Sequence, residues 1–564
     1  MKKFQQIICT TIFCLFIFIG NAQLNPYSYN NTKSIEVKKA AVVSAHALAS
    51  DAGMQMIQQG GNAFDAAIAT QFALAVVYPG AGNLGGGGFL VAHTSAGKNI
   101  ALDYREMAPA KASRDMYLDA AGNPITKLSM EGHLASGVPG TVAGIFATLP
   151  YAKLSIATLI TPAITFAEKG FALTAAQASS FNYMKETFVR VNKNATAFVK
   201  DSAWKAGDIF IQTDLANTLK RIRDNGAAGF YKGETAALIA KEMSSSNGII
   251  TTDDLKNYKV CVREAMQFPY KNYQVITMPL PSSGGIILQQ LLQMTAQKKL
   301  ASLPFQTTAS VQLITEAERR AFSDRAEFLG DPDFVKVPVK TLVSKAYLQK
   351  RMADYNPLKA GSSELTKAGV IKESEQTTHI SVTDIEGNAV SVTTTLNDNY
   401  GSKTVITGAG FIMNNEMDDF SVKLGVPNMY GALGNDKNAI APGKRMLSSM
   451  TPTIVLKNNK PFIVVGTPGG TTIPTSVFQS IVNIVDYNLS PADAVNKPKF
   501  HHQWLPDIIF VEKDFPKKVR DQLTAMGYTI QERAAIGRTE LIKIEQKKIT
   551  AIADKRGDDD ARGF

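Results

Sequence analysis

Two threonines open the stretch of this chain best suited to chemistry. Thr377 and Thr378 begin a β-rich run to Val382, and a second such run goes from Ala389 to Thr395. Between them lie Asp384, Ile385, Glu386, Gly387 and Asn388. Two β-rich runs around a turn of Asp, Gly and Asn predict a hairpin. Glu386 stands at its centre, with Thr377 nine residues before it and Thr395 nine after. A regular antiparallel pairing would set these threonines opposite each other, side chains on one face and Cβ atoms ~5 Å apart. Asn397 would share that face if the strand continued, and a bulge would shift the register.

A threonine hydroxyl is a poor nucleophile unless a base takes its proton. An internal threonine needs a neighbouring histidine or lysine. A threonine at a new N-terminus carries its own base, an α-amine with a pKa of ~8. Residues 355–375, with Pro357, Gly361, Ser362, Ser363 and several charges, read as a polar linker ending just before Thr377. A cut there would free such an amine. On pattern alone, two ordinary β-formers in a hairpin remain the simpler account of Thr377 and Thr378.

The surrounding elements read as an α+β protein. Ala47–Gln59 has the apolar spacing of a helix, stopped by Gly60-Gly61. A second helix, Ala63 to about Val77, is apolar on most sides, which predicts burial, and it ends before Tyr78-Pro79. Phe89-Leu90-Val91 reads as a strand, after which strands and helices are expected to alternate to about residue 330. Ser310 is a candidate cap for a helix through Glu316 and Arg320 to Leu329. Later, Pro461 to Gly466 is strand-like and Thr467-Pro468-Gly469-Gly470 a turn. Thr471 to about Tyr487 reads as a helix, and Ser490-Pro491 starts another.

Several function classes are poorly supported. The 564 residues are 45% hydrophobic and 19% charged, ordinary values for a folded protein. The formal charge of +11 comes from interleaved acids and bases without an aromatic-studded basic stripe, which argues against nucleic acid as a partner. Gly85–Gly88 lacks the Gly-Lys-Ser/Thr of a phosphate loop. His501-His502 has no spaced partner for a metal, so both read as structural. At the N-terminus, Lys2 and Lys3 precede the mostly apolar Ile7–Ile19 and the small residues Gly20-Asn21-Ala22. That is a secretory signal, residues 1–22, with cutting expected before Gln23; an uncleaved anchor is the alternative. The stretch is short against the ~20 residues a membrane span needs. Export would leave Cys261 as the lone cysteine, read as a small buried hydrophobe, with no internal disulfide.

The chain resembles the gamma-glutamyltranspeptidases across nearly its whole mature length. Gln376-Thr377-Thr378-His379-Ile380-Ser381, followed by Gly387-Asn388-Ala389-Val390, looks like their self-processing site. Gly60–Ala67, Asp103–Pro109, Asn414–Phe420, Leu447–Met450 and Gly466–Gly470 occur in family order. The resemblance implies the four-layer αββα sandwich of N-terminal-nucleophile hydrolases, one globule built from two subunits. It implies a cut between Gln376 and Thr377, giving a large subunit (23–376) and a small one (377–564). Thr377 would then be the nucleophile, attacking gamma-glutamyl amides such as glutathione and passing the glutamyl group to water, amino acids or peptides.

Site roles follow by the same resemblance. Thr395 would orient the nucleophile, and Gly469 and Gly470 would form the oxyanion hole. Arg105, helped by Ser448 and Ser449, would hold the donor's carboxylate. Asn397, Glu416 and Asp419 would hold its ammonium, and Tyr430, in a Val426–Gly431 lid, would cover it. Asp418 receives no role. No metal or organic cofactor is implied, and the product would be exported, periplasmic or secreted. Two rivals stay open: a cephalosporin-acylase-type amidohydrolase of the same superfamily, and an uncleaved binding protein on this fold.

Overall fold

The computed structural model describes residues 25–363 and 377–564, apart from 424, 433 and 547. The expected signal segment (1–22), the end of the expected linker and Gln376 lie outside the described residues.

Two seven-stranded antiparallel sheets stack face to face. One runs in the order Ser34–Val37, Lys548–Ile552, Glu540–Glu545, Lys460–Gly466, Thr453–Lys457, Tyr273–Thr277, Met266–Tyr270. The other runs Asp560–Gly563, Ala41–Ser44, Thr377–Thr383, Ala389–Thr395, Gly87–His93, Asn99–Tyr104, Cys261–Arg263. Ile276, Ile454, Val464 and Ile542 meet Val43, Phe89 and Val91 between the sheets. Helices cover both outer faces, Ala47–Gln58 and Ala63–Val77 on one and Gly284–Gln297, Thr308–Phe328 and Thr472–Val485 on the other. This is the four-layer αββα sandwich. Each sheet takes strands from before residue 363 and after 377, so a break between them cannot separate two domains.

The central hairpin has the register that the sequence suggests. Thr377 pairs with Thr395, and every pair through Thr383–Ala389 follows without a slip. Asp384 builds the turn: its Oδ1 accepts from the N–H groups of Glu386 (2.9 Å) and Asn388 (3.0 Å). Its Oδ2 accepts from the Ala63 N–H at 2.8 Å, one of the donors a helix start leaves unpaired. The Ala63–Val77 helix is buried along its whole length, as an all-round apolar helix must be. Asn62 and Asp65 close its first turn as a capping box.

Alternation along the hairpin sends Ile380, Val382, Val390 and Val392 to the helix layer. The opposite face carries hydroxyls and a histidine into the space between the sheets. Buried polar groups there must be paired. His379 Nδ1 meets Thr393 Oγ1 at 2.8 Å and its Nε2 meets Ser381 Oγ at 3.1 Å. Ser381 and Ser391 donate to the carbonyls of Glu540 and Val465 across the sheets. Burial pushes His379 down to about 3, so this histidine is neutral at working pH.

Three expectations change. Between Tyr104 and Cys261 the described chain is mainly helical, with only the two-residue strands Phe171–Ala172 and Ile209–Phe210, so strands and helices do not alternate there. The helix expected from Ser310 spans Thr308–Phe328 and is capped by Thr307. Ser310 is the third residue of the capping box, because either hydroxyl suits that turn and Thr307 stands where the chain is still extended. Cys261 is half-buried on an edge strand, where its sulfur accepts from Arg445 Nη1 at 3.1 Å. The four glycines of Gly85–Gly88 serve close packing: a side chain on Gly86 would sit 2.0 Å from the Thr395 carbonyl. His501 and His502 are buried and bonded to Thr475 and Gln503, and to Asp507. Among the described residues no helix is long and apolar enough to cross a membrane, and no cluster of ligating side chains suits a metal.

Candidate active site

One cavity at the end of the hairpin gathers almost every residue singled out in the sequence. Thr377, Thr395, Asn397, Arg105, Glu416, Asp419, Tyr430, Ser448, Ser449 and Gly470 all line it. Gly469 stands one residue outside the lining.

The hydroxyl pair is the first feature. Thr377 Oγ1 and Thr395 Oγ1 lie 3.4 Å apart, both buried. Thr395 Oγ1 also accepts from the Asn397 N–H at 2.8 Å, so a lone pair is committed and its proton is directed elsewhere. Asn397 makes this bond from a left-handed backbone, φ 77°, which asparagine tolerates better than most residues. Its side chain donates to the Asn415 carbonyl at 3.0 Å.

Beyond the hydroxyls lies an ionic cluster. Arg105 reaches Glu416 at 2.5 Å, Asp419 at 2.5 Å and Glu106 at 3.5 Å; Arg105 and both glutamates are buried, and Asp419 is partly exposed. Burial opposes the Arg105 charge, but the three carboxylates outweigh it and hold the guanidinium above its ordinary range. Burial likewise drives Glu416 well above the usual carboxylate value, against the pull of Arg105, and raises Asp419. It pushes Glu106 up to about 7. Glu416 Oε1 is buried without a hydrogen bond among the described residues, and an acceptor in that state suits an incoming N–H donor.

The lid and the turn complete the walls. The Tyr430 hydroxyl donates to the Asn397 carbonyl, and Gln503 Nε2 donates to the Tyr430 carbonyl at 3.0 Å. Asn428 Nδ2 donates to Asp419 at 2.9 Å. The Val426–Gly431 loop, the expected lid, is therefore tied to the strand end and the ionic cluster at once. Asp418, which sequence reasoning left without a role, accepts from Ser129 Oγ (2.6 Å) and from the Met429 N–H (2.8 Å), and so anchors the lid. Gly469 and Gly470 have φ of 136° and 54°, a strand-to-helix turn that favours glycine at both places. The Met450 N–H donates to Ser448 Oγ at 3.2 Å, which fixes the rotamer of that serine.

Sequence reasoning missed Arg325. It lines the cavity from the Thr308–Phe328 helix. Its spacing gave a signal: Ala317, Ala321 and Arg325 recur every fourth residue on one buried stripe, and an arginine there is out of place in a purely structural face.

An αββα sandwich with a threonine hydroxyl at a strand end, beside a glycine turn, defines an acyl-transferring enzyme of the N-terminal-nucleophile type. Comparison with known proteins narrows this. The gamma-glutamyltranspeptidase family model matches residues 49–564. A glutathione hydrolase proenzyme of Escherichia coli strain K12 is 44% identical over 532 residues, 93% of this chain and 92% of that protein. Its counterpart in Pseudomonas aeruginosa is 46% identical over 510 residues, 89% and 90% of the two chains. The crystal structure of a cephalosporin acylase from Bacillus halodurans superposes with a TM-score of 0.84 at 25% identity, covering 97% of this chain and 99% of that one. The chain belongs to the gamma-glutamyltranspeptidase family.

Proposed function

We propose that the chain is an exported precursor that cuts itself between Gln376 and Thr377, and that Thr377 then transfers gamma-glutamyl groups from glutathione and related amides. Thr377 Oγ1 attacks the Gln376 carbonyl, the acyl group shifts from nitrogen to oxygen and so frees the α-amine, and hydrolysis of the ester then separates the chains and restores the hydroxyl. In turnover that amine takes the hydroxyl proton as Oγ1 attacks the donor's γ-carbonyl. The C–N bond breaks, the leaving amine receives the proton, and a γ-glutamyl ester remains for water or an acceptor amine. The Gly469–Gly470 turn supplies backbone N–H groups to the developing oxyanion. No step calls for a metal or organic cofactor.

The observation that carries this reading is the Thr377–Thr395 hydroxyl pair facing one cavity with Arg105, Glu416 and Asp419. A head group bearing both a carboxylate and an ammonium is complementary to those charges, with Asn397, Ser448 and Ser449 beside them. N-terminal sequencing of the purified protein tests it, since both starts, Gln23 and Thr377, should be read together. The intact bands expected on a denaturing gel are roughly 38 and 20 kDa at average residue mass.

Two substitutions report on the roles. Thr395→Val keeps the shape and removes the hydroxyl that meets Thr377, and its kcat should fall about 10-fold or more, the loss of one hydrogen bond in the transition state. A kcat equal to wild type would remove Thr395 from the orienting role. Arg105→Ala should raise KM for a gamma-glutamyl anilide about 10- to 100-fold, the loss of a charge-assisted bond. It should also lower Tm, because Glu416 and Asp419 lose their buried counter-ion. An unchanged KM would rule out the assignment.

The acylase reading is the weaker one. The Bacillus halodurans superposition supports it at the level of fold. The ionic cluster at Arg105 favours a zwitterionic head, and the relatives at 44% and 46% identity are glutathione hydrolase proenzymes.

A further inference from the structure

Arg105 is not the only guanidinium in the cavity. Its terminal nitrogens are already engaged by Glu416 and Asp419 at 2.5 Å each. Arg325 differs. It is 7% exposed and lines the same cavity. Its Nε donates to Ser283 Oγ at 3.2 Å, and its two terminal nitrogens make neither a hydrogen bond nor an ion pair among the described residues. Ser283 in turn donates to the Ser448 carbonyl through both its hydroxyl (2.7 Å) and its N–H (2.8 Å). The Arg325 head is thus braced through its Nε against the Ser448–Ser449 wall.

Burial lowers Arg325 to about 10, with Asp419 as the acid that opposes the shift. It remains charged at neutral pH. A buried cation without a paired anion is costly, and a guanidinium fork is matched in shape and charge by a carboxylate. The cavity therefore holds one arginine saturated by its own acids and one that awaits an anion.

We propose that Arg325 is a second carboxylate-binding residue of the donor site: it contacts the α-carboxylate of the gamma-glutamyl head, while Glu416 and Asp419 turn toward the ammonium. This rests on the function proposed above and assigns a specificity contact that the sequence did not suggest. It gives the site a way to bind a zwitterion without first stripping Arg105 of both its acids. Selectivity for a head group that carries a carboxylate then depends on Arg325 as well as on Arg105.

The test compares two donors with the processed enzyme: L-gamma-glutamyl-p-nitroanilide, and 4-aminobutyryl-p-nitroanilide, which lacks only the α-carboxylate. Arg325→Gln should raise KM for the glutamyl donor about 10- to 100-fold and lower its kcat/KM advantage over the aminobutyryl donor by at least about 10-fold. Arg325→Lys, which keeps the charge, should recover part of both. A merely structural arginine would slow both donors alike and leave the ratio intact, and that result overturns the proposal. A denaturing gel showing both subunits keeps a folding defect from passing as lost recognition. Wild-type enzyme that is inert toward the glutamyl donor would sink the proposed function itself, an outcome distinct from an active enzyme whose preference ignores Arg325.

Discussion

Thr377→Ala should run as one uncut chain on a denaturing gel and release no product from a gamma-glutamyl anilide. The substitution removes the Oγ1 that would attack the Gln376 carbonyl, so no cut forms and no α-amine is freed. It would remove the proposed nucleophile of turnover in the same stroke. The fold should survive, because the backbone pairing of Thr377 with Thr395 does not involve the hydroxyl. What is lost is a 3.4 Å contact between two side chains. Thr377→Ser is the control: it keeps the oxygen at the same strand position and should restore both the cut and measurable turnover. Two bands from the alanine variant would mean that another group breaks the chain. A single band that still turned over substrate would mean that Thr377 is not the nucleophile.

Much of this site was legible in the sequence because hairpin geometry is local. Asp384, Gly387 and Asn388 specify a turn, and a turn fixes register. Register in turn sets Thr377 against Thr395 before any tertiary contact is known. The Ala63–Val77 helix was legible for a similar reason, since an all-apolar helix has only one place to go. The ionic cluster was less legible. The sequence named Arg105, Glu416 and Asp419 through a family resemblance, but the acids lie more than 300 residues from the arginine, and no local rule says that they pair with it. Arg325 was missed for the same reason. Its significance is its lack of an anion, which only the surroundings reveal. Ser310 shows the limit of local rules at small scale: the capping residue is Thr307, three positions earlier.

The cluster also explains why burial does not exclude charge here. Three carboxylates crowd one guanidinium, and desolvation raises the acids toward neutrality. Such an arrangement is a poor investment in stability. It is well suited to a cationic group, because an arriving ammonium restores to Glu416 and Asp419 the counter-charge that the interior withholds. Recognition, not folding, is the account that fits its composition.

Gly469→Ala should cut kcat about 100- to 1,000-fold, the usual loss when an oxyanion donor is displaced, while KM for the donor stays within about twofold. The reason is directional. At φ 136° the backbone occupies a region that side chains rarely enter, and a methyl there would lie 2.3 Å from Thr472 Oγ1. That hydroxyl donates to the Gly469 carbonyl at 2.8 Å, so the clash falls on the bond that ties the glycine turn to the start of the Thr472–Val485 helix. Relief requires the peptide to rotate, and rotation swings the adjacent N–H away from the forming oxyanion. Gly470→Ala presses elsewhere: its methyl would sit 2.6 Å from the Tyr430 ring. It should displace the lid and raise KM as well as lower kcat. The contrast separates the two glycines, since a substitution aimed at the helix turn ought to spare binding and one aimed at the lid ought not. Equal kcat for Gly469→Ala and wild type would show that the turn shapes the cavity without stabilising the transition state.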